Sequence, residues 1–284
     1  MCTLILGRDL PTAGQVLLAA NRDEDPARPS EPPHVLRERP RLVGGRDAVA
    51  GGTWLAVRGA PGRSSGRGAA GGSGASQGPD SPAGPAAVLL LNRPPLPGQP
   101  PGRRSRGLLV LDVAAADDPV LAAREALASG AYGPCTLVYA SPVACWLMAF
   151  PGGAPVPGTG TGRPPRMAVI GPGWHAITHA ELDDAREPRT AWLTGRLRGR
   201  SPRSAEQAFA ELEALLAHHG DGSSPAVCIH AGRMPTVSAS LLLIGRERTI
   251  YRHADGRPCE RPFVDASALL EEPAPPAGRA RERG

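Results

Sequence analysis

The fold is decided between residues 2 and 23, where the chain reads CTLILGRDLPTAGQVLLAANRD. Two apolar runs, residues 2–6 and 15–20, flank a segment rich in Gly, Pro and Thr. Short apolar runs on either side of such turn residues are typical of a β-hairpin. We therefore predict that the chain begins with two antiparallel strands and that Asp23, where the second strand ends, returns close to Cys2.

The same reasoning extends along the chain. Apolar runs predict further strands ending at Val57 and spanning residues 86–91, 135–140, 144–150, 227–230, 238–244 and 249–252. Helical periodicity predicts helices over 117–129, 186–198 and 204–219, with Ser204 as an N-cap. Residues 25–41, rich in Pro and Arg, are predicted to form a loop. Hairpins first, helices in the middle and strands last favour an α+β fold with antiparallel sheets over alternating βαβ units.

The chain of 284 residues is long enough for one large domain, which we place at residues 1–270. Residues 59–85 consist almost entirely of Gly, Ala, Ser, Pro and Arg. Such a composition buries too little apolar surface to offset the entropy of ordering. We predict a disordered insertion here, in the form of an elongated hairpin loop, and a disordered tail at 271–284.

Composition narrows the functional classes. No apolar run reaches the roughly 20 residues of a membrane span, and no secretory signal opens the chain, so we expect a soluble cytoplasmic protein. The net charge is +5, but all 32 basic residues are Arg, and they are scattered. With only 4% aromatic residues, a solvated surface is favoured over a nucleic-acid partner. The oligomeric state stays open.

The cysteines predict free thiols rather than a structural metal. The five residues, at positions 2, 135, 145, 228 and 259, form no C-x-x-C pair and no zinc-type spacing. Metal binding is conceivable for two pairs whose spacing would put them on one face of a strand, His175 with His179 and Cys228 with His230. Satisfied core or surface histidines are the favoured interpretation.

Cys2 follows only Met1. A side chain as small as Cys permits removal of the initiator Met, so the mature chain is expected to begin with a thiol and an α-amine on one residue. That amine titrates near pH 7.7–8.0 and can accept the thiol proton, which gives the nucleophile its own base. The alternative is a small apolar residue at the start of an edge strand.

Four blocks of sequence resemble the NRDE family, the proteins similar to transport and Golgi organization protein 2. They are Met1-Cys2-Thr3, Asn21-Arg22-Asp23-Glu24, Gly51-Gly52-Thr53-Trp54-Leu55-Ala56 and Leu91-Asn92-Arg93, in this order. The likeness continues more weakly through Thr178-His179, Cys228-Ile229-His230, Thr236 to Ser240 and Ala254-Asp255-Gly256. The family in turn resembles the cysteine-dependent N-terminal-nucleophile hydrolases, such as penicillin V acylases and bile salt hydrolases.

That resemblance implies a four-layer αββα sandwich with Cys2 as nucleophile. It implies that Asp23 holds the Cys2 amine and that the Asn92 amide helps bind the oxyanion. The alternatives are a turn Asp and an Asn that starts the Pro94-Pro95 turn. The chain departs from the acylases where they carry a further Asn and a late Arg. It has Thr178-His179 and Thr236-Val237-Ser238 there.

Two residues are candidates for substrate binding, Arg22 and His179. Arg22 could pair with a substrate carboxylate, or with Glu24 at the surface. The implied catalytic residues and these two candidates together predict an amidohydrolase, which acts without a cofactor on a C–N amide bond of a small molecule. The eukaryotic relatives imply an alternative, a non-enzymatic role in haem handling or in membrane traffic and lipid homeostasis. His230 and Cys2 would then be candidate axial ligands of the haem.

Overall fold

The computed structural model describes residues 2–59, 84–95, 104–152 and 164–271. One sheet contains, in spatial order, β10 (Gly173–Ile177), β1 (Thr3–Arg8), β2 (Val16–Asp23), β11 (Thr236–Ile244), β12 (Thr249–Ala254) and β13 (Val264–Asp265). The other contains β3 (Ser30–Glu38), β4 (Arg41–Asp47), β5 (Leu55–Arg58), β6 (Ala86–Asn92), β7 (Cys135–Ala140), β8 (Cys145–Phe150) and β9 (Arg166–Val169). The helices of this part of the chain are α1 (Arg106–Ala115), α2 (Pro119–Ala128), α3 (Pro188–Leu197) and α4 (Ala205–Leu216).

Three apolar cores separate the layers. The central core lies between the sheets and joins, for example, Leu4 of β1 to Leu89 of β6. A second core packs the outer face of the β3–β9 sheet against α1 and α2, and a third packs the outer face of the β1 sheet against α3 and α4. Helices therefore cover both sheets from outside. All strand pairs are antiparallel, so the predicted α+β class with antiparallel sheets is confirmed.

The first hairpin forms as the sequence predicts. β1 and β2 pair antiparallel, with Thr3 opposite Asn21 and Arg8 opposite Val16. The alternative that Cys2 starts an edge strand is wrong, because β1 lies between β10 and β2 and is paired on both sides. Cys2 therefore precedes an interior strand of the sheet.

The predicted helices and the second hairpin are also confirmed. α2, α3 and α4 lie within the predicted ranges, and β7 pairs with β8. The Ser204 side chain accepts a hydrogen bond from the backbone N–H of Gln207, which is the expected N-cap.

Two local predictions are wrong, and one helix was not predicted. The segment predicted as a loop at 25–41 contains β3 and leads into β4, and the two form a hairpin. β3 is irregular and largely exposed, so its two prolines remove no central hydrogen bonds. Helix α1 was not predicted, and residues 227–230 form a loop instead of a strand.

The predicted insertion begins and ends between two paired strands. β5 pairs directly with β6, with Arg58 opposite Ala86. Residues 60–83 and 272–284, which hold nearly all of the predicted insertion and tail, lie outside the described residues. The single domain at 1–270 stays a prediction. Among the described helices, none has the length and apolar character needed to cross a lipid bilayer.

Candidate functional site

Cys2 lies just before β1, half-buried against the core between the sheets. Its Sγ is 3.8 Å from the backbone oxygen of Asp23, so the hairpin does return to Cys2. Burial raises the pKa of the Cys2 thiol, and the negative charge of Asp23 raises it further, while the nearby Arg22 lowers it. The thiol therefore needs a base if it is to act as a nucleophile near neutral pH.

Asp23 is buried at the end of β2, opposite Thr236 of β11, rather than in an open turn. Its Oδ1 accepts a hydrogen bond of 2.7 Å from the Thr236 hydroxyl, and its Oδ2 lies 3.8 Å from Nη1 of Arg189. Burial raises the pKa of this carboxyl, and the Thr236 hydroxyl and Arg189 oppose the rise. A buried carboxylate with such partners can hold and tune a neighbouring amine.

Arg189 is a residue of the site that the sequence analysis missed. It lies in the first turn of α3, which starts at Pro188 and is capped by the side chain of Glu187. Its Nη1 donates to the Thr3 hydroxyl at 2.8 Å, so it braces both strands of the hairpin next to Cys2. No local pattern indicates that the start of α3 packs on this end of the sheet.

Thr236 connects Asp23 to the loop that precedes β11. Its hydroxyl accepts a hydrogen bond from the Ile229 amide at 2.9 Å and donates to Asp23. The Thr236 amide in turn donates to the Ile229 carbonyl at 2.9 Å. Thr236 therefore ties the Asp23 carboxylate to the loop before β11.

Strand alternation sends neighbouring residues of β2 to different layers. Leu18 and Ala20 face the core between the sheets, and Arg22 continues that face, as Cys2 does from β1. Arg22 lies 3.6 Å from Glu24, so this ion pair exists. The expected surface location is wrong, because Arg22 is only 7% exposed.

Asn92 ends β6 in the other sheet and is exposed. It pairs with Cys135, which faces α1 and α2, whereas the preceding Leu91 faces the core that Cys2 touches. Directly opposite residues of an antiparallel pair share a face. The described strands therefore bring Cys2 and Asp23 together but direct Asn92 toward the helical layer.

His179 lines a cleft of about 270 Å³ beside the end of β10. Burial lowers the pKa of His179, and Arg189 and Arg93 are close enough to lower it further, although Glu187 raises it. On the same wall, Glu181 accepts hydrogen bonds from Arg93 at 2.6 Å and from Arg166 at 2.9 Å. Two guanidinium groups against one carboxylate make this cleft suited to an anionic group.

Arg106, the first residue of α1, contacts a residue of the cleft wall. Its Nη1 donates to the backbone oxygen of Pro134, which lines the cleft, at 2.9 Å. Burial lowers the pKa of Arg106, and the Cys2 thiol lies within its electrostatic reach. Arg106 is a second residue that the sequence analysis missed, because it stands in a cluster of arginines typical of a loop.

The two candidate metal-binding pairs have different surroundings in the structure. His175 is satisfied by Asp183 at 2.7 Å and by the Gly171 carbonyl at 3.0 Å, as favoured from the sequence. Cys228 and His230, in contrast, join two further donors in a compact cluster. The absence of zinc-type spacing therefore does not exclude a metal, since three separate segments of the C-terminal part of the chain contribute to this cluster. Its members are His219, Cys228, His230 and Cys259.

Comparison with known proteins identifies one family. Residues 1–70 match the family described as Transport and Golgi organisation 2, which confirms the predicted resemblance over that stretch. The matched segment includes Cys2, the first hairpin and Asp23. No curated protein matches the chain.

Proposed function

We propose that this chain is, over its whole length, an NRDE family protein and a cysteine N-terminal-nucleophile amidohydrolase acting on a small molecule. The observation that carries the proposal is the placement of Cys2 against the end of β2, beside the buried Asp23. The family match at residues 1–70 supports the family part. Helices outside two facing antiparallel sheets agree with the implied αββα architecture.

In the proposed reaction, removal of Met1 gives Cys2 an α-amine. The amine takes the thiol proton, and the sulfur attacks the amide carbonyl carbon to form a tetrahedral oxyanion. The C–N bond then breaks, and the departing amine receives the proton. Water hydrolyses the resulting thioester to a carboxylic acid and restores the thiol. Asp23, held by Thr236 and Arg189, orients the α-amine.

Two side chains are candidates for the donor that stabilises the oxyanion. Asn92 is implied by the resemblance, whereas Arg106 has the Cys2 thiol within its electrostatic reach. Loss of an oxyanion donor lowers kcat by about 10²–10³. Asn92→Ala and Arg106→Ala, compared by the acylation burst with a p-nitrophenyl ester, separate these two assignments.

For the substrate, we propose a molecule with an anionic group. His179, Arg93 and Arg166 would contact that group in the cleft, where Glu181 supplies the only opposing carboxylate among the cleft-lining residues described. Arg22 lies on the same face as Cys2 and is the proposed second contact, although its pairing with Glu24 must then loosen.

The experiment that tests the function joins intact mass to thiol labelling. We expect purified protein to lack Met1, and Cys2 to react first with limiting iodoacetamide at pH 7.5, as read by peptide mapping. Cys2→Ser should abolish the acylation burst, whereas Cys145→Ser, a buried thiol in β8, should retain it. Retention of Met1, or a burst that survives in Cys2→Ser, would remove the proposed mechanism.

A further inference from the structure

Four nitrogen and sulfur donors meet at one point away from Cys2. They are Nε2 or Nδ1 of His219 and His230 and Sγ of Cys228 and Cys259, and all lie within 4.8 Å of one another. They come from the segment after α4, the loop before β11 and the loop after β12. β11 and β12 separate Cys259 from His230 along the chain, so the fold of this hairpin brings Cys259 to the other three donors.

Four of the six donor separations are close to those of a tetrahedron around a single ion. With Zn–S of about 2.3 Å and Zn–N of about 2.05 Å, tetrahedral angles place sulfurs ~3.8 Å apart, sulfur and nitrogen ~3.6 Å apart, and nitrogens ~3.3 Å apart. The Cys228 and Cys259 sulfurs are 3.6 Å apart. Nε2 of His230 lies 3.7 Å from the Cys228 sulfur, 3.2 Å from that of Cys259 and 3.2 Å from Nε2 of His219.

We infer that His219, Cys228, His230 and Cys259 bind one Zn²⁺ ion. Two thiolates and two imidazoles in tetrahedral arrangement are the donor set and geometry that Zn²⁺ prefers, whereas Mg²⁺ and Ca²⁺ require oxygen ligands. Four protein ligands leave no position for water or substrate. The site is therefore structural, and it stands independently of the proposed hydrolase activity.

A carboxylate lies behind one of the imidazoles. Glu260 Oε1 is 3.6 Å from Nδ1 of His230, on the opposite side of the ring from the cluster, and Arg257 holds Glu260 at 3.1 Å. Histidine ligands of metals usually direct the second ring nitrogen to a carboxylate or carbonyl, which fixes the tautomer. Glu260 is placed to do this for His230.

The backbone around the donors is already ordered. The amide of Cys228 donates to the His218 carbonyl at 2.8 Å, which brings the second ligand back beside the first. Gly220 makes this return possible, because its φ is +78° and a Cβ would lie 2.8 Å from the Ser224 oxygen. On the other side, the amide of Glu260 donates to the Arg257 carbonyl at 2.9 Å and closes a turn around Cys259.

The first test is metal content. Full-length protein without a histidine tag, purified without chelator, should contain about one zinc per chain by mass spectrometry of the metal. Cys259→Ser and His219→Ala should each reduce this to near zero. Two matched controls, Cys145→Ser and the exposed His34→Ala, should keep the full content. Zinc that persists in both ligand variants, or zinc-free wild-type protein that also fails to take up added Zn²⁺, would overturn the inference.

The second test needs no variant and so does not depend on variant folding. Zinc is removed from wild-type protein with a chelator and replaced by Co²⁺, whose visible bands report tetrahedral coordination and whose near-ultraviolet band reports thiolate ligands. We expect one equivalent of Co²⁺ to give both signals. An octahedral spectrum without thiolate absorption, a Cys228–Cys259 disulfide in the native protein, or another metal at one per chain would refute the zinc assignment.

Discussion

Thr236 gives the sharpest stability prediction, because one buried hydroxyl makes hydrogen bonds to two partners. In Thr236→Val a methyl group replaces the hydroxyl, so the Asp23 carboxylate loses a donor and the Ile229 amide loses an acceptor. A hydrogen bond to a charged group contributes about 1.5–3 kcal/mol, and an unsatisfied buried donor costs about 1–3 kcal/mol. Since the loop at Ile229 can relax toward water, we expect a loss of about 3 kcal/mol in the free energy of unfolding.

Urea denaturation followed by tryptophan fluorescence measures this loss at pH 7.5. Thr236→Ser is the matched control, because it keeps the hydroxyl and should lose only about 1 kcal/mol for the missing methyl group. The loss in Thr236→Val should also shrink as the pH falls. The pKa of Asp23 is raised in the folded protein, so ionisation of Asp23 opposes folding as the pH rises, and the lost donor matters more to the ionised form than to the neutral one. If the two variants differ by less than about 1 kcal/mol at pH 7.5, the hydroxyl does not have this role.

Three further predictions concern other parts of the fold. In urea titrations, Asp183→Asn should lower the free energy of unfolding by about 1 kcal/mol at pH 5.5 and by little at pH 9. Asp183 raises the pKa of His175, and the stability that this gives is lost as the pH rises through the folded pKa. Equal losses at the two pH values would contradict the prediction. Gly52→Ala should lower the free energy of unfolding by about 3 kcal/mol, because the new Cβ would lie 2.3 Å from the Gly107 backbone carbon. The control is Gly195→Ala in α3, where the space is open; in the same assay it should be neutral or stabilising by up to ~1 kcal/mol. Cys135 and Cys145, whose pKa values burial raises to about 12 and about 11, should resist iodoacetamide at pH 8 in native protein and react in urea; native labelling of either would refute their burial.

Much of the fold could be predicted because short stretches of sequence mark its first hairpin and its helices. The hairpin of β1 and β2 needs only two apolar runs and a turn, and α4 is marked by its cap and its periodicity. β3 was not predicted because it is an exposed edge strand, whose Pro and Glu residues lack the apolar alternation of a half-buried strand. α1 escaped because its N-cap, Ser105, stands among arginines that resemble a loop.

The candidate site divides in the same way. The sequence placed Asp23 beside Cys2 because a hairpin of known length joins them. Arg189 and Arg106 reach this region from helices, and no residue spacing reports how a helix docks on a sheet. Cys228 and His230 were recognised as a possible metal pair. Their partners His219 and Cys259 were missed for a similar reason, because three segments of the fold must come together before the four donors meet.

The hydrogen bonds of Thr236 also have a direction. An amide can only donate, so the bond from Ile229 leaves the hydroxyl proton of Thr236 to point at Oδ1 of Asp23. Oδ1 therefore accepts the Thr236 proton, whereas Oδ2 is the oxygen toward Arg189. The two oxygens of Asp23 are therefore not equivalent: one is fixed by the Thr236 hydroxyl, and the other lies toward a guanidinium group.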